Sequence, residues 1–195
     1  MIANDLEYVE LSRANVSSEA ISEFESGNKG IDLFFHENAI QWANKGIAVT
    51  YILVQKEEQS QNHITKIFAF STISCSGLLY NSENQNLYMS CAEIKYFAIK
   101  KPFRGQTDNG LISGERYSKI FFKLFLQEMY FMSTSVIGFS MIFLQANTEG
   151  KHLYEDCNFT VLEDFLLPDV DDKIEICECT PMGMQLTDDN IYDLF

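Results

Sequence analysis

Between Glu93 and Met132 the sequence sets three things in succession: an apolar run, a glycine-containing basic loop and a long segment with an apolar stripe. A strand that enters a helix through such a loop can bind phosphate. The first N–H groups of a helix lack intrahelical acceptors, and that end of its dipole is positive. The charges agree. From Lys95 to Lys123 seven bases (Lys95, Lys100, Lys101, Arg104, Arg116, Lys119 and Lys123) stand against Asp108 and Glu115, a net of +5. On charge alone, a solvated helix face carrying lysines for solubility is an equal reading of the same residues.

The rest of the chain is acidic. Its net charge is −14, and from Glu149 onward thirteen acids face two bases, Lys151 and Lys173. The chain as a whole should repel nucleic acid, while the local basic patch can still attract a small polyanion. His36, His63 and His152 are scattered, and no metal site or catalytic triad follows from them. Cys75, Cys91, Cys157, Cys177 and Cys179 are odd in number and include no CxxC pair, which suits reduced thiols. The N-terminus MIANDLEYVE has no apolar signal core, and the longest apolar run, Val136–Leu144, is too short to span a bilayer. A cytoplasmic protein without membrane contact is expected.

Periodicity indicates the elements that must hold the loop. Leu6–Leu11 alternates as an opening strand. Ser17 or Ser18 caps a short helix, and Gly27–Gly30 breaks the chain before a second helix, Ile31–Asn44. Ala48–Val54 and Ile64–Ser74 read as strands joined by a turn over Gln55–His63. Gly77–Met89 reads as an irregular connection, and Glu93–Lys100 as a third strong strand ended by Pro102. The helix after the loop carries Tyr117, Ile120, Phe121, Leu124, Phe125 and Met129 on one stripe. Val136–Leu144 suits a buried central strand. Asn147 or Thr148 caps a short helix through Cys157, Asn158 takes a left-handed position, and Phe159–Leu162 and Thr180–Leu186 are the last strands. The order β-α-α-β-β-β-α-β-α-β-β predicts an α/β (α+β) fold, with helices on the faces of a mixed sheet. A chain of 195 residues predicts a single domain, here 1–187, followed by an acidic tail, 188–195.

That order, with the residues that fill it, resembles the GNAT (Gcn5-related N-acetyltransferase) fold. Tyr96-Phe97-Ala98-Ile99 is similar to the family's fourth strand, and Phe103-Arg104-Gly105-Gln106 follows where its acyl-CoA pyrophosphate loop belongs. Val136–Ala146 resembles the fifth strand. Gly150–Phe159 resembles the closing helix, with Asn158 in place of a usual glycine. Phe24–Ile40, Thr50-Tyr51, Phe70-Ser71 and Pro181-Met182…Leu186 are similar to a branch that includes toxins acetylating aminoacyl-tRNA. The loop departs from the family's spacing. Counted from Arg104, the two small-residue positions fall on Thr107 and Asn109, and the glycines come later, at Gly110 and Gly114.

The resemblance implies a GNAT-like, mostly antiparallel central sheet and an acetyl-CoA-dependent transfer of acetyl to a primary amine. It places pantetheine along Phe97, Ala98 and Ile99, and the pyrophosphate at Lys101, Arg104, Gly105, Gln106, Gly110 and Gly114. It assigns the general acid to Tyr154, with Glu93 as first candidate for the base. The partners it admits, besides acyl-CoA and an amine acceptor, are aminoacyl-tRNA, another protein or a second copy of the chain. The alternative is a catalytically inactive GNAT-fold protein acting as an acidic interaction module.

Overall fold

The computed structural model describes residues 5–82, 85–107, 114–162, 165–166, 179–187 and 190. In chain order the elements are β1 (Leu6–Glu10), α1 (Ser18–Ser22), α2 (Lys29–Leu33), a π turn (Phe34–Asn38), α3 (Ala39–Asn44), β2 (Val49–Gln55), α4 (Lys56–Ser60), β3 (Ala69–Ser82) and β4 (Gln85–Ile99). A 3₁₀ turn (Lys101–Phe103), α5 (Tyr117–Ser135), β5 (Met141–Ala146), α6 (Lys151–Glu155), β6 (Thr160–Val161), β7 (Phe165–Leu166) and β8 (Thr180–Gln185) follow. Strand pairing is mixed and mostly antiparallel, as expected: the β4–β5 pair is parallel, and β1–β2, β2–β3, β3–β7, β5–β8 and β6–β8 are antiparallel. Gly110, Cys177, the acidic stretch Asp169–Asp172 and all of the predicted tail except Asn190 lie outside the described residues.

The chain divides into two units, residues 1–74 with 95–128, and residues 75–94 with 129–195. In the first unit α1 begins as expected, with the Ser17 hydroxyl accepting the Ala20 N–H. The second helix is longer than its apolar stripe suggested. Asn28 caps it by accepting from Gly30 and Ile31, and a π turn interrupts it, the Ala39 N–H donating to the Phe34 carbonyl. This wider turn re-phases the stripe, so that Phe34 and Phe35 are buried at its start and Ala39 just after it. Phe35 stacks on Phe70 at 4.5 Å and Phe34 on Tyr96 at 4.1 Å. Phe24, Ile52, Val54, Ile64, Ile67 and Ala98 complete that core.

A second apolar layer in this unit holds the start of α5. Phe121, Phe122, Phe125 and Leu126 are fully buried, and the Tyr8 hydroxyl donates to the Phe121 carbonyl. Phe103 reaches this layer from the 3₁₀ turn, 5.4 Å from Tyr117, 5.6 Å from Phe68 and 5.9 Å from Phe121. The loop is thereby anchored at its first residues by aromatic packing.

Gln55–His63 is not a simple turn. It holds α4, because Lys56-Glu57-Glu58-Gln59-Ser60 combines good helix formers, and Glu58 accepts the backbone N–H groups of Thr65 and Lys66. In the second unit Gly77–Met89 is not irregular, since β3 runs on to Ser82 and β4 starts at Gln85. Leu87, Tyr88 and Met89 are consecutive and lack the alternation of a half-buried strand, so ladder pairing rather than local pattern makes this stretch a strand. Tyr88 lies over the backbone of Gly77, where a Cβ would come within 2.0 Å of its hydroxyl. The fifth strand starts later than expected, at Met141. Val136 and Ile137 are exposed, and their N–H groups close the end of α5 on the Met132 carbonyl. The core of this unit gathers Leu78, Cys91, Met141, Phe143 and Leu162.

Candidate functional site

The loop after β4 is built from both of its ends. Lys100 donates its N–H to the Phe68 carbonyl at 2.8 Å, and Lys101 donates to the Glu25 carbonyl at 2.7 Å. Pro102 is the second residue of the 3₁₀ turn. Gly105 follows in the left-handed region at φ 68°, exposed and with open space around the position of a Cβ. At the far end Gly114 has the same conformation, at φ 70°. Next to the two glycines Thr107 bridges Arg116, and the Tyr117 N–H donates to the Gln106 carbonyl at 3.1 Å. The described ends of the loop thus meet in a neck at Gln106-Thr107 and Arg116-Tyr117, and α5 begins at that neck.

The charges around the neck are partly engaged. Glu115 reaches Lys123 at 3.1 Å and Lys119 at 3.6 Å, across the first turns of α5. Lys101, Arg104 and Arg116 are exposed. The Arg104 Nη1 donates to the Ser26 carbonyl at 3.1 Å, which ties the loop to the connector between α1 and α2. In the sequence Arg116 was counted only among the seven bases of this segment, and Ser26 did not stand out. Arg116 lacks a motif, and the Ser26 contact spans 78 positions of chain.

Phe97, Ala98 and Ile99 lie in the last residues of β4. Phe97 packs edge-on against Phe122 at 4.9 Å, and Ala98 and Ile99 are buried. The parallel ladder of β4 with β5 covers Cys91–Ile94, and β4 continues beyond it. Within the ladder Glu93 stands opposite Phe143, half-buried between the buried Ala92 and Ile94.

Tyr154 lies on α6 in the second unit, half-buried. The Asn147 Oδ1 accepts the Gly150 N–H at 2.7 Å to start the turn. Asn158, at φ 64°, ends it as expected, and the Tyr154 carbonyl accepts the N–H groups of Cys157 and Phe159. The Phe159 ring lies 6.0 Å from that of Tyr154. Gly150 leaves room for the phenol, because a Cβ there would stand 3.1 Å from Tyr154 Cε2. Burial pushes the phenol up to about 12, and the neighbouring Cys157 adds to the rise.

No protein-family model and no curated protein matches the sequence. Solved structures do match. A tyrosine-to-phenylalanine mutant of KacT superposes with TM-score 0.66 at 18% identity, covering 98% of this chain and 99% of that one. AtaTR bound with AcCoA superposes with TM-score 0.67 at 16% identity, covering 98% and 99%. AtaT complexed with acetyl-methionyl-tRNAfMet superposes with TM-score 0.62 at 15% identity, covering 91% and 94%. Likeness of this extent at these identities establishes the fold. The mixed sheet and helices described above are those of the GNAT fold, in the form it takes in the toxins KacT and AtaT.

Proposed function

We propose that this protein is an acetyl-CoA-dependent N-acetyltransferase that acts, as a toxin does, on the amine of an aminoacyl-tRNA. The observation that carries the proposal is the neck of the loop after β4. There two left-handed glycines and the exposed cations Lys101, Arg104 and Arg116 flank the start of a 19-residue helix. These residues suit the anionic end of acyl-CoA, for which exposed backbone and positive charge at a helix start are the needed groups. The AtaT relatives bound to AcCoA and to acetyl-methionyl-tRNAfMet support the choice of donor and acceptor.

Bound acetyl-CoA supplies the acetyl group as a thioester. Phe97, Ala98 and Ile99 offer the backbone of β4 to pantetheine beyond the stretch paired with β5, and Lys101 and Arg104 offer charge to the pyrophosphate. Glu93, directly or through a water, takes the proton that the amine loses as nitrogen bonds to the carbonyl carbon and the carbon–sulfur bond breaks. An aminoacyl ester amine has a low pKa and makes little demand on that base. Tyr154 holds a proton at its hydroxyl for the departing sulfur. With its phenol held near 12 it stays protonated at neutral pH, so it acts chiefly as a hydrogen-bond donor to the developing negative charge.

Calorimetric titration with acetyl-CoA tests the cofactor. Binding that Arg104→Ala weakens supports it, and no heat of binding in the wild type sinks it. Expression in a growing culture tests the toxin reading: the wild type arrests growth and Tyr154→Phe relieves the arrest, whereas harmless expression of the wild type overturns it. One observation favours a second reading, a non-catalytic GNAT-fold interaction module. The Gln106 carbonyl takes the N–H of Tyr117, the first residue of α5. A pull-down that needs no CoA and survives Tyr154→Phe selects that reading.

A further inference from the structure

The connector between α1 and α2 is built like a latch. Asp32 Oδ1, on α2, accepts both the Ser26 N–H at 2.8 Å and the Ser26 hydroxyl at 2.6 Å. The Ser26 hydroxyl oxygen in turn accepts the Asn28 N–H at 3.2 Å. This doubly held serine is buried, and its carbonyl accepts from the Arg104 guanidinium. One residue earlier the Glu25 carbonyl accepts the Lys101 N–H. One residue later Gly27, at φ 89°, leaves only enough room for the same guanidinium, since a Cβ there would stand 3.1 Å from Nη1. Asp32 therefore holds Ser26 and, through its hydroxyl, Asn28, while Glu25, Ser26 and Gly27 in succession meet Lys101 or Arg104.

This arrangement exceeds what a helix connector needs. Asn28 already caps α2 by itself, accepting from Gly30 and Ile31 at 3.0 and 3.2 Å. The carboxylate of Asp32 is spent on Ser26, and the result is a carbonyl aimed at a cation of the loop. A charged donor held by a fixed carbonyl loses less side-chain freedom on meeting an anion than one that swings in solvent.

We propose that Asp32 is a positioning residue: acting through Ser26, it orients Arg104 toward the pyrophosphate of the acyl donor, so that the α1–α2 connector belongs to the donor site. The inference rests on the acyl-CoA reading above. It predicts a defect confined to donors that carry the pyrophosphate.

Acetyl-CoA is titrated into the wild type, Asp32→Ala, Arg104→Gln and the double variant, and turnover is followed with acetyl-CoA and with S-acetyl-pantetheine, which lacks the pyrophosphate. Asp32→Ala is expected to weaken acetyl-CoA binding roughly tenfold, and the double variant to bind no more weakly than Arg104→Gln alone. It should raise KM for acetyl-CoA with little change in kcat, and leave kcat/KM for S-acetyl-pantetheine unchanged. Additive losses in the cycle, or equal losses with both donors, overturn the proposal and leave the acyl-CoA reading standing. A wild type that binds no acetyl-CoA marks the failure of that reading and removes the proposal with it. If Asp32→Ala does not fold, Asp32→Asn keeps the shape and weakens the acceptor. A coupled loss of about threefold is then expected, and uncoupled behaviour overturns the proposal equally.

Discussion

The Tyr154 phenol keeps its proton to about pH 12, above the ordinary tyrosine value of 10.0, because burial disfavours the phenolate. Two outcomes follow at the scale of this residue. Tyr154→Phe is expected to lower kcat roughly 100-fold or more with little change in KM, read as free thiol released from acetyl-CoA. Stability also carries a signature. The folded state binds this proton more tightly than the unfolded chain, so the stabilisation is fully present below about pH 10 and is lost as pH rises through about 12. Urea unfolding between pH 9 and pH 12 should therefore show a loss of stability that is steeper in the wild type than in Tyr154→Phe. The position of this tyrosine was legible in the sequence through its setting in Gly150–Phe159, and Asn158 took the left-handed conformation read for it. Its raised pKa was not legible, because burial is a property of the packed chain.

At the scale of elements, the start of α5 and the strand β8 each carry a prediction. Glu115 sits at the start of α5 and engages Lys119 and Lys123, both about a quarter exposed. Glu115→Gln should release that positive charge and tighten acetyl-CoA binding by about twofold to fivefold at 20 mM salt. The gain should fade at 300 mM salt, where screening shortens the reach of the field. In the second unit Gly183 of β8 is crowded by Leu162 and Met141, each about 3.0 Å from the place of a Cβ. Gly183→Ala should cost about 1–3 kcal/mol in urea unfolding with an unchanged m-value, since it overpacks a core without altering the surface exposed. The neck of the loop was only half legible. The sequence placed a basic glycine-bearing excursion after β4, but the Thr107–Arg116 bridge and the Gln106–Tyr117 hydrogen bond join positions whose pairing no local propensity dictates. The α4 helix and the long β3 and β4 strands were missed for a related reason. Short polar segments have weak preferences, and packing or ladder pairing decides among them.

For the molecule as a whole, the net charge of −14 is the dominant electrostatic fact. Like charges on one chain repel, and salt screens that repulsion. The thermal midpoint should rise by several degrees between 10 and 300 mM sodium chloride; a flat or falling midpoint would mean that local ion pairs such as Glu115–Lys123 outweigh the global repulsion. The same charge bears on the acceptor. Binding of the proposed tRNA acceptor is opposed by the charge of the chain as a whole and favoured by its basic segment. Among the described residues no helix is long and apolar enough to cross a membrane.

By itself the sequence determined the order of the main elements, the basic strand-loop-helix, and the short helix bearing Tyr154. These rest on local causes: hydrophobic period, glycine and proline punctuation, caps and the placement of charge. Only the tertiary structure decided how the loop is used. It bridged Thr107 to Arg116, paired part of the basic charge with Glu115, and set the Ser26 carbonyl against Arg104. Such contacts bring together residues far apart in the chain, and their energies depend on burial and distance, which one-dimensional pattern does not contain.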